Sequence, residues 1–192
     1  MELLVVISII AILAALGFSG VNAAVTKAQM TECLSNMRQI GVAMQLFAGD
    51  NEGTLPGTSH GISWTNSLSF YLSPNFIGRC PSFPKHRARV TYGWNDSLAS
   101  NGDGMRLVLC KNPSSTMALG ELATNQSSEH FHFIGGRGGA AGVTANQFKT
   151  AVNVESHQKS ANYVFVDGHA ENLAWLEVQR RLAQPNSSFL VP

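Results

Sequence analysis

The sequence predicts an α+β protein in which one long N-terminal α-helix packs on a small antiparallel β-sheet head. Three observations lead to this fold class. Residues 3–26 carry no charged side chain, residues 30–47 place apolar side chains at helical spacing, and short alternating runs bounded by turn residues follow. No proline interrupts residues 3–48, so the first two patterns predict a single helix. The third pattern predicts the sheet.

The first half of this helix, residues 1–26, is apolar on every side. About 20 consecutive apolar residues, rising roughly 1.5 Å each, cross the ~30 Å hydrocarbon core of a bilayer. The few polar side chains, such as Ser8 and Thr26, can bond to a carbonyl one turn back. We therefore expect a transmembrane segment that can also form the core of a filament.

The second half, residues 27–50, is predicted to be amphipathic. Its apolar positions recur in steps of three or four and so lie on one face of a helix. They are Met30, Cys33, Leu34, Met37, Ile40, Met44 and Phe47. This face needs a partner, which the head domain, residues 51–192, is expected to supply.

Turn residues divide the head into short elements. A short helix is predicted within residues 63–72 and a closing helix at residues 175–182. Strands are predicted at residues 89–94, 105–109, 116–121 and 130–134. The clearest signal is a hairpin of residues 161–166 and 169–174 around Asp167-Gly168, a dipeptide that favours a type I′ turn. We expect this hairpin to pack on the apolar face of the long helix.

Composition and motifs argue against two functional classes. A formal net charge of +1, with 13% charged residues, does not support nucleic-acid binding. Gly136, Gly138 and Ala141 form a formal G-x-G-x-x-A, but no alternating strand and helix series surrounds it, and the sequence has no P-loop. We therefore expect no enzymatic activity, no catalytic residue and no cofactor.

The three cysteines leave two alternatives open. Cys33, Cys80 and Cys110 match no C-x-x-C metal motif. In an oxidising compartment Cys80 and Cys110 could form a disulfide, because both lie in the head. Otherwise all three are buried thiols.

Two separate stretches resemble one family. MELLVVISIIAILAAL, followed by ECLSNMRQIGVAMQLFAGDNEGTLP, is similar to the N-terminal helix of type IV pilin-like proteins and type II secretion pseudopilins, whose mature end reads F-T-L-I-E-L-L-V-V. Glu2 aligns with the glutamate of that motif. Downstream, His157, nine further residues, Asp167 and Gly168 reproduce the H-x9-D-G signature of prepilin-type processing-associated proteins.

The resemblance implies a structural subunit of a pilus-like or pseudopilus-like filament. Its partners would be copies of itself or related pilins, the inner membrane and the assembly machinery. It would sit in the bacterial inner membrane as a single-pass protein with a periplasmic head, and then join an extracytoplasmic filament. Glu2 would pair with the N-terminal amine of a neighbouring subunit; alternatively, it merely favours the helix N-terminus through the macrodipole. The family's basic leader and Gly-Phe cleavage site do not precede Glu2, so processing and N-methylation stay open.

Two other functional classes remain. A membrane-tethered extracytoplasmic binding module that does not polymerise would share these features. A secreted protein is the other, because Val21-Asn22-Ala23 is a small-x-small pattern typical of signal-peptide cleavage.

The signature residues allow a structural and a metal-binding interpretation. Asp167 and Gly168 suit a turn, and His157 can hydrogen-bond the loop before the first hairpin strand. Alternatively His157, Asp167 and His169, with Glu171, bind calcium or another metal, although their spacing is not diagnostic. His130 and His132 form a second weak candidate, an H-x-H pair on one strand face. Their alternation with Phe131 and Phe133 favours an ordinary half-buried strand instead.

Overall fold

The structure is a computed structural model of the 192-residue chain. It describes residues 2–58, 63–74, 76, 78–83, 89–100, 103–131, 133, 142–185 and 187–192. At residues 2, 15–20 and 100 the description covers the backbone alone.

Helices and strands follow one another in an α+β order. The helices of the described residues are α1 (Glu2–Asp50), α2 (Trp64–Ser67), α3 (Ala145–Ala151) and α4 (Trp175–Leu182). The strands are β1 (Tyr92–Asn95), β2 (Ala99–Ser100), β3 (Asp103–Gly104), β4 (Met117–Glu121), β5 (His130–Phe131), β6 (Ser160–Phe165) and β7 (Ala170–Ala174). Short 3-10 turns lie at Asp96–Leu98 and Leu107–Leu109.

The main sheet is mixed, so the predicted antiparallel sheet is wrong. Its order is β5-β1-β4-β6-β7, and β2 pairs with β3 separately. β5 runs parallel to β1, with Trp94 opposite His130. The reason is the connection after β4: β4 is antiparallel to β1, and residues 122–129 reverse the chain and bring it to the far side of β1. The predicted strand at 105–109 is also wrong, because it forms an isolated bridge at Arg106 and then a 3-10 turn.

The amphipathic second half of α1 packs on the sheet as predicted. Cys33, Met37, Ile40 and Met44 are fully buried, in steps of three or four. At Gly41 the helix lies directly against the hairpin turn, because an added Cβ there would be 2.1 Å from the carbonyl oxygen of Gly168. One turn later, the Gln45 Nε2 donates to the Val166 carbonyl at 2.7 Å.

The sheet separates two hydrophobic cores. Along β6, Val164 and the following Val166 face α1, whereas Tyr163 and Phe165 face the opposite side. There α3 contributes Phe148, α4 contributes Val178, and the C-terminal segment contributes Phe189 and Leu190. Buried Asn95 ties that segment down, because its Nδ2 donates to the carbonyls of Met117 at 2.8 Å and Leu190 at 2.9 Å.

The predicted hairpin is confirmed, but its turn is of another kind. β6 pairs with β7 in antiparallel register from Ser160 opposite Ala174 to Val164 opposite Ala170. Gly168 has φ +90°, whereas Asp167 is not among the residues with positive φ, so a type I′ turn is excluded. The Gly168 amide donates to Phe165 and the Phe165 amide to His169, which closes a longer loop with one left-handed glycine.

The first half of α1 is helical, but the predicted membrane-spanning segment is wrong. Within the described residues, no helix joins sufficient length to sufficient apolar character to cross a bilayer. This finding also overturns the predicted single-pass location in the inner membrane.

Candidate functional site

A disulfide joins α1 to the head, and it is not the one considered from the sequence. Cys33 on α1 is bonded to Cys80 in the loop that precedes β1. The Cys80–Cys110 pairing is therefore wrong, and Cys110 is a buried free thiol 3.5 Å from the Thr116 hydroxyl. Helical periodicity explains the outcome: Cys33 lies on the face of α1 that packs on the head, beside Cys80. Structural disulfides of this kind are typical of oxidising, extracytoplasmic compartments.

Beside this disulfide lies a buried carboxylate and imidazole pair. The Glu121 Oε1 is 2.8 Å from the His157 Nε2, and the same Nε2 is 3.7 Å from the Cys80 Sγ. Glu121 is fully buried and His157 is 2% exposed. Cys33, Cys80, Glu121 and His157 form what we call the disulfide cluster; their potential ligand atoms all lie within 4.8 Å of one another.

Neutral groups provide most of the contacts to Glu121. Its Oε2 accepts from the Ser156 hydroxyl and from the Asn162 amide at 3.3 Å, and the Asn162 Nδ2 is 3.5 Å from Oε1. Among the described residues, Glu121 forms an ion pair with His157 alone. The second ring nitrogen of His157, Nδ1, is buried without a hydrogen-bond partner in the described structure. A buried carboxylate without a permanent positive partner is costly, and here the hydrogen bonds from Ser156, Asn162 and His157 offset part of that cost.

The carboxylate also affects two buried tyrosines. Burial, followed by the nearby charge of Glu121, raises the pKa of Tyr163 above its ordinary range. Burial raises the pKa of Tyr92 as well, with a smaller contribution from Glu121. Both hydroxyls therefore remain protonated and neutral at physiological pH.

The metal ligands considered from the sequence do not meet. His157 precedes β6, whereas Asp167 and His169 lie beyond its other end, roughly 20 Å away along a six-residue strand. The Asp167 Oδ1 instead accepts from His169, from the backbone amide at 3.1 Å and from Nδ1 at 2.5 Å. Glu171 is 3.4 Å from an Arg181 nitrogen. Asp167 and Gly168 thus act as turn residues, and the His157 backbone closes the loop before β6 through Ser160.

Other sequence candidates fall partly outside the described residues. His130 belongs to β5, as the strand interpretation predicts, but His132 lies outside the description, so the metal-binding alternative is untested. The glycine cluster at 134–141, including Gly136, Gly138 and Ala141, also lies outside it.

Two further features bear on the expected absence of enzymatic activity. Residues 57–61 read G-T-S-H-G, formally a G-x-S-x-G motif, which marks a nucleophile only on a strand-to-helix turn. The preceding residues 55–58 form no strand, and residues 59–61 lie outside the description. A cavity of about 580 Å³ beside the C-terminal segment is lined by Lys111, Asn112 and Leu190 among others, and its described lining contains no Asp, Glu or His side chain. The absence of enzymatic activity therefore stays a prediction from the sequence.

Exposed apolar side chains cover the first half of α1. We call residues 3–14 and 21–25 the stem, and all of these residues are exposed. Eleven large apolar residues of the stem are 50–75% exposed. They are Leu3, Leu4, Val5, Val6, Ile7, Ile9, Ile10, Ile12, Leu13, Val21 and Val25. Consecutive apolar positions place them on all sides of the helix, so no single side is favoured.

A partly exposed ion-pair network lies on α4. The Arg180 Nε and the Arg181 Nε each donate to the Glu177 carboxylate at 2.9 Å. Hydrogen bonds from Arg180, and then from Arg181, lower the pKa of Glu177 to about 2.

Sequence reasoning missed Glu121 and the partner of Cys33. Two signals were present. Glu121 ends β4, whose other residues are all uncharged and buried, so a charged side chain there needs buried partners. Cys33 lies on the apolar face of α1, which points it at the head.

No protein-family model, curated protein or solved structure matches the chain. The resemblance to pilin-like proteins therefore stays a prediction from the residues that carry it.

Proposed function

We propose that this protein is a structural subunit that assembles with copies of itself into a pilus-like or pseudopilus-like filament, with the stems bundled in the core. The observation that carries this proposal is the stem, an exposed helix with large apolar side chains on all sides. The pilin-like sequence of the same helix supports it.

The size of the exposed apolar surface favours a bundle over a dimer. Fully burying a Val, Leu or Ile side chain contributes about 1.5–3 kcal/mol. The eleven large apolar residues of the stem are 50–75% exposed. Burying their remaining exposed surface would therefore contribute on the order of 10–20 kcal/mol. Association loses roughly 4–15 kcal/mol of translational and rotational free energy. A single neighbour covers one side of the stem and gains only a fraction of the burial free energy. Neighbours on all sides gain most of it.

The head supports such an assembly because it is firmly attached to the same helix. The second half of α1 is buried on the sheet, and the Cys33–Cys80 disulfide ties it covalently to the head. A subunit can then present its stem to neighbours while the head keeps one orientation relative to the helix.

Assembly of the purified full-length chain tests the proposal. We expect filaments in negative-stain electron microscopy and a concentration-dependent sedimentation coefficient. Replacing Ile7 and Ile10 together by Asp places two charges on one side of the stem, and this variant is expected to remain monomeric. The matched control replaces Val108 and Leu176 by Asp; these residues are 78% and 77% exposed on the head, and the control should still assemble.

Two outcomes would contradict the proposal. A folded wild-type chain that stays monomeric at all concentrations would instead indicate the non-polymerising binding module. Loss of assembly in the Val108 and Leu176 control, with assembly retained in the stem variant, would place the contacts on the head.

Glu2 is the assembly residue that the family resemblance implies. Its side chain lies outside the description, so its role is a proposal from the aligned motif. We expect Glu2→Ala to reduce filament formation and Glu2→Asp to retain part of it. Filaments of wild-type length and number from Glu2→Ala would exclude pairing through this carboxylate.

A further inference from the structure

The disulfide cluster contains four metal-ligating side chains from four different segments. Cys33 lies on α1, Cys80 precedes β1, Glu121 ends β4 and His157 precedes β6. All four are at least 98% buried, and their ligand atoms lie within 4.8 Å of one another. In the oxidised state the two sulfurs are bonded to each other. Two ligands then remain, the His157 Nε2 and a Glu121 oxygen.

Reduction would complete a four-ligand set. Two thiolates, one imidazole and one carboxylate are ligands that Zn²⁺ prefers at a closed tetrahedral site. Tetrahedral zinc with these bond lengths separates its ligand atoms by roughly 3.3–3.8 Å. The nitrogen and oxygen ligands already lie 2.8 Å apart, and the Cys80 sulfur is 3.7 Å from the nitrogen. The sulfurs must therefore move apart by side-chain rotation, while the other ligands shift little.

The electrostatics of the cluster also favour a cation. Glu121 is fully buried, and among the described residues no lysine or arginine forms an ion pair with it. The His157 Nε2 is the ring nitrogen that faces the other ligand atoms, because it lies near both the Glu121 Oε1 and the Cys80 Sγ. A divalent ion would neutralise the carboxylate and fix the ring through its Nε2.

We propose that the reduced form of this protein binds one Zn²⁺ ion through Cys33, Cys80, Glu121 and His157. A dithiol reductant converts the disulfide into two thiols and is itself oxidised to a disulfide. The ion then replaces the two thiol protons, which are released to solvent. The link between α1 and the head is thus covalent in the oxidised state and a metal bridge in the reduced state.

Cobalt binding to the full-length protein tests this site. The protein is reduced anaerobically with a phosphine, which takes up an oxygen atom from water as it becomes the phosphine oxide, and Co²⁺ is present throughout. We expect one Co²⁺ per chain, with visible bands typical of a tetrahedral site and a thiolate charge-transfer band. Added Zn²⁺ should remove both signals, and the oxidised protein should show neither.

Variants separate the cluster from other possible ligands. Glu121→Gln and His157→Gln are each expected to weaken Co²⁺ binding by at least about 10–100-fold. The matched controls are Cys110→Ser and His169→Gln, which remove a thiol and an imidazole outside the cluster and should bind Co²⁺ like the wild type.

Several results would overturn the proposal. One is a reduced wild-type chain that takes up no Co²⁺, whether folded or unfolded. Another is an oxidised chain that binds Co²⁺ as tightly as the reduced chain does. Unchanged binding in both Glu121→Gln and His157→Gln, or loss of the thiolate band in Cys110→Ser, would place any metal elsewhere.

Discussion

Opening the Cys33–Cys80 disulfide should destabilise the protein by a predictable amount. The bond joins residues 47 positions apart and so closes a long loop between α1 and β1. In the chain-entropy treatment, a loop of this length lowers the entropy of the unfolded chain by an amount equivalent to about 4 kcal/mol. We therefore expect reduction, or the double variant Cys33→Ala/Cys80→Ala, to lower the free energy of unfolding by roughly 2–4 kcal/mol.

Urea unfolding monitored by circular dichroism measures this change. The titrations are run with and without a phosphine reductant, in EDTA so that no metal bridges the thiols. Cys110→Ser is the control, because its thiol is not bonded and its replacement leaves the disulfide intact. This control should show the same reductant-dependent loss as the wild type, whereas the Cys33→Ala/Cys80→Ala variant should not respond to reductant.

A loss below about 1 kcal/mol would refute this reasoning, since it would mean that the unfolded chain is not appreciably restricted by the bond. A reductant-dependent loss in the Cys33→Ala/Cys80→Ala variant would equally contradict it, because the effect would then arise elsewhere.

The remaining predictions concern three other contacts. Gly41→Ala places a methyl group against the Gly168 carbonyl and should lower the free energy of urea unfolding by about 1–3 kcal/mol. At Gly49 nothing lies within 4 Å of an added Cβ, so the control Gly49→Ala should leave the free energy of unfolding unchanged or raise it by up to about 1 kcal/mol. Asn95→Asp replaces a buried donor to two carbonyls by a carboxylate and should lower the thermal midpoint, equivalent to at least about 1–3 kcal/mol. Since the pKa of Glu177 is depressed to about 2 in the folded state, its stabilising contribution is present above the ordinary pKa of 4.5 and is lost as pH falls through about 2. NMR titration of that carboxyl checks the value, and Glu177→Gln should flatten the pH dependence of unfolding over this window.

Equal losses for the two glycine variants would exclude a close helix contact at Gly41. An unchanged midpoint for Asn95→Asp would show that its amide does not hold the C-terminal segment. A Glu177 pKa near 4.5 would show that its arginine partners do not bind it in solution.

Local patterns in the chain predicted the elements that depend on local interactions. The spacing of Cys33, Met37, Ile40 and Met44 indicated which face of α1 is buried, since side chains three and four positions apart share a face of a helix. The Asp167-Gly168 dipeptide located the hairpin because glycine readily adopts positive φ. The type of turn was not predictable in the same way, because it depends on which carbonyls the two strands present to each other.

Long-range contacts could not be read from the sequence. Cys80 has two possible partners at comparable chain distances, and Cys33 is chosen because the buried face of α1 lies beside the loop before β1. The pairing of Glu121 with His157 joins residues 36 positions apart and requires the register of β4 against β6. Spacing alone grouped His157 with Asp167 and His169, which an extended strand holds apart.

The chain by itself determined a long helix with an apolar first half, an amphipathic second half and a small head with one clear hairpin, because each of these follows from side-chain periodicity over a few turns or a few strand residues. Only the tertiary structure decided the parallel β5, the Cys33–Cys80 bond and the buried Glu121–His157 pair. These features arise where segments distant in sequence meet, and their geometry is set by how α1 and the strands pack together rather than by any local pattern.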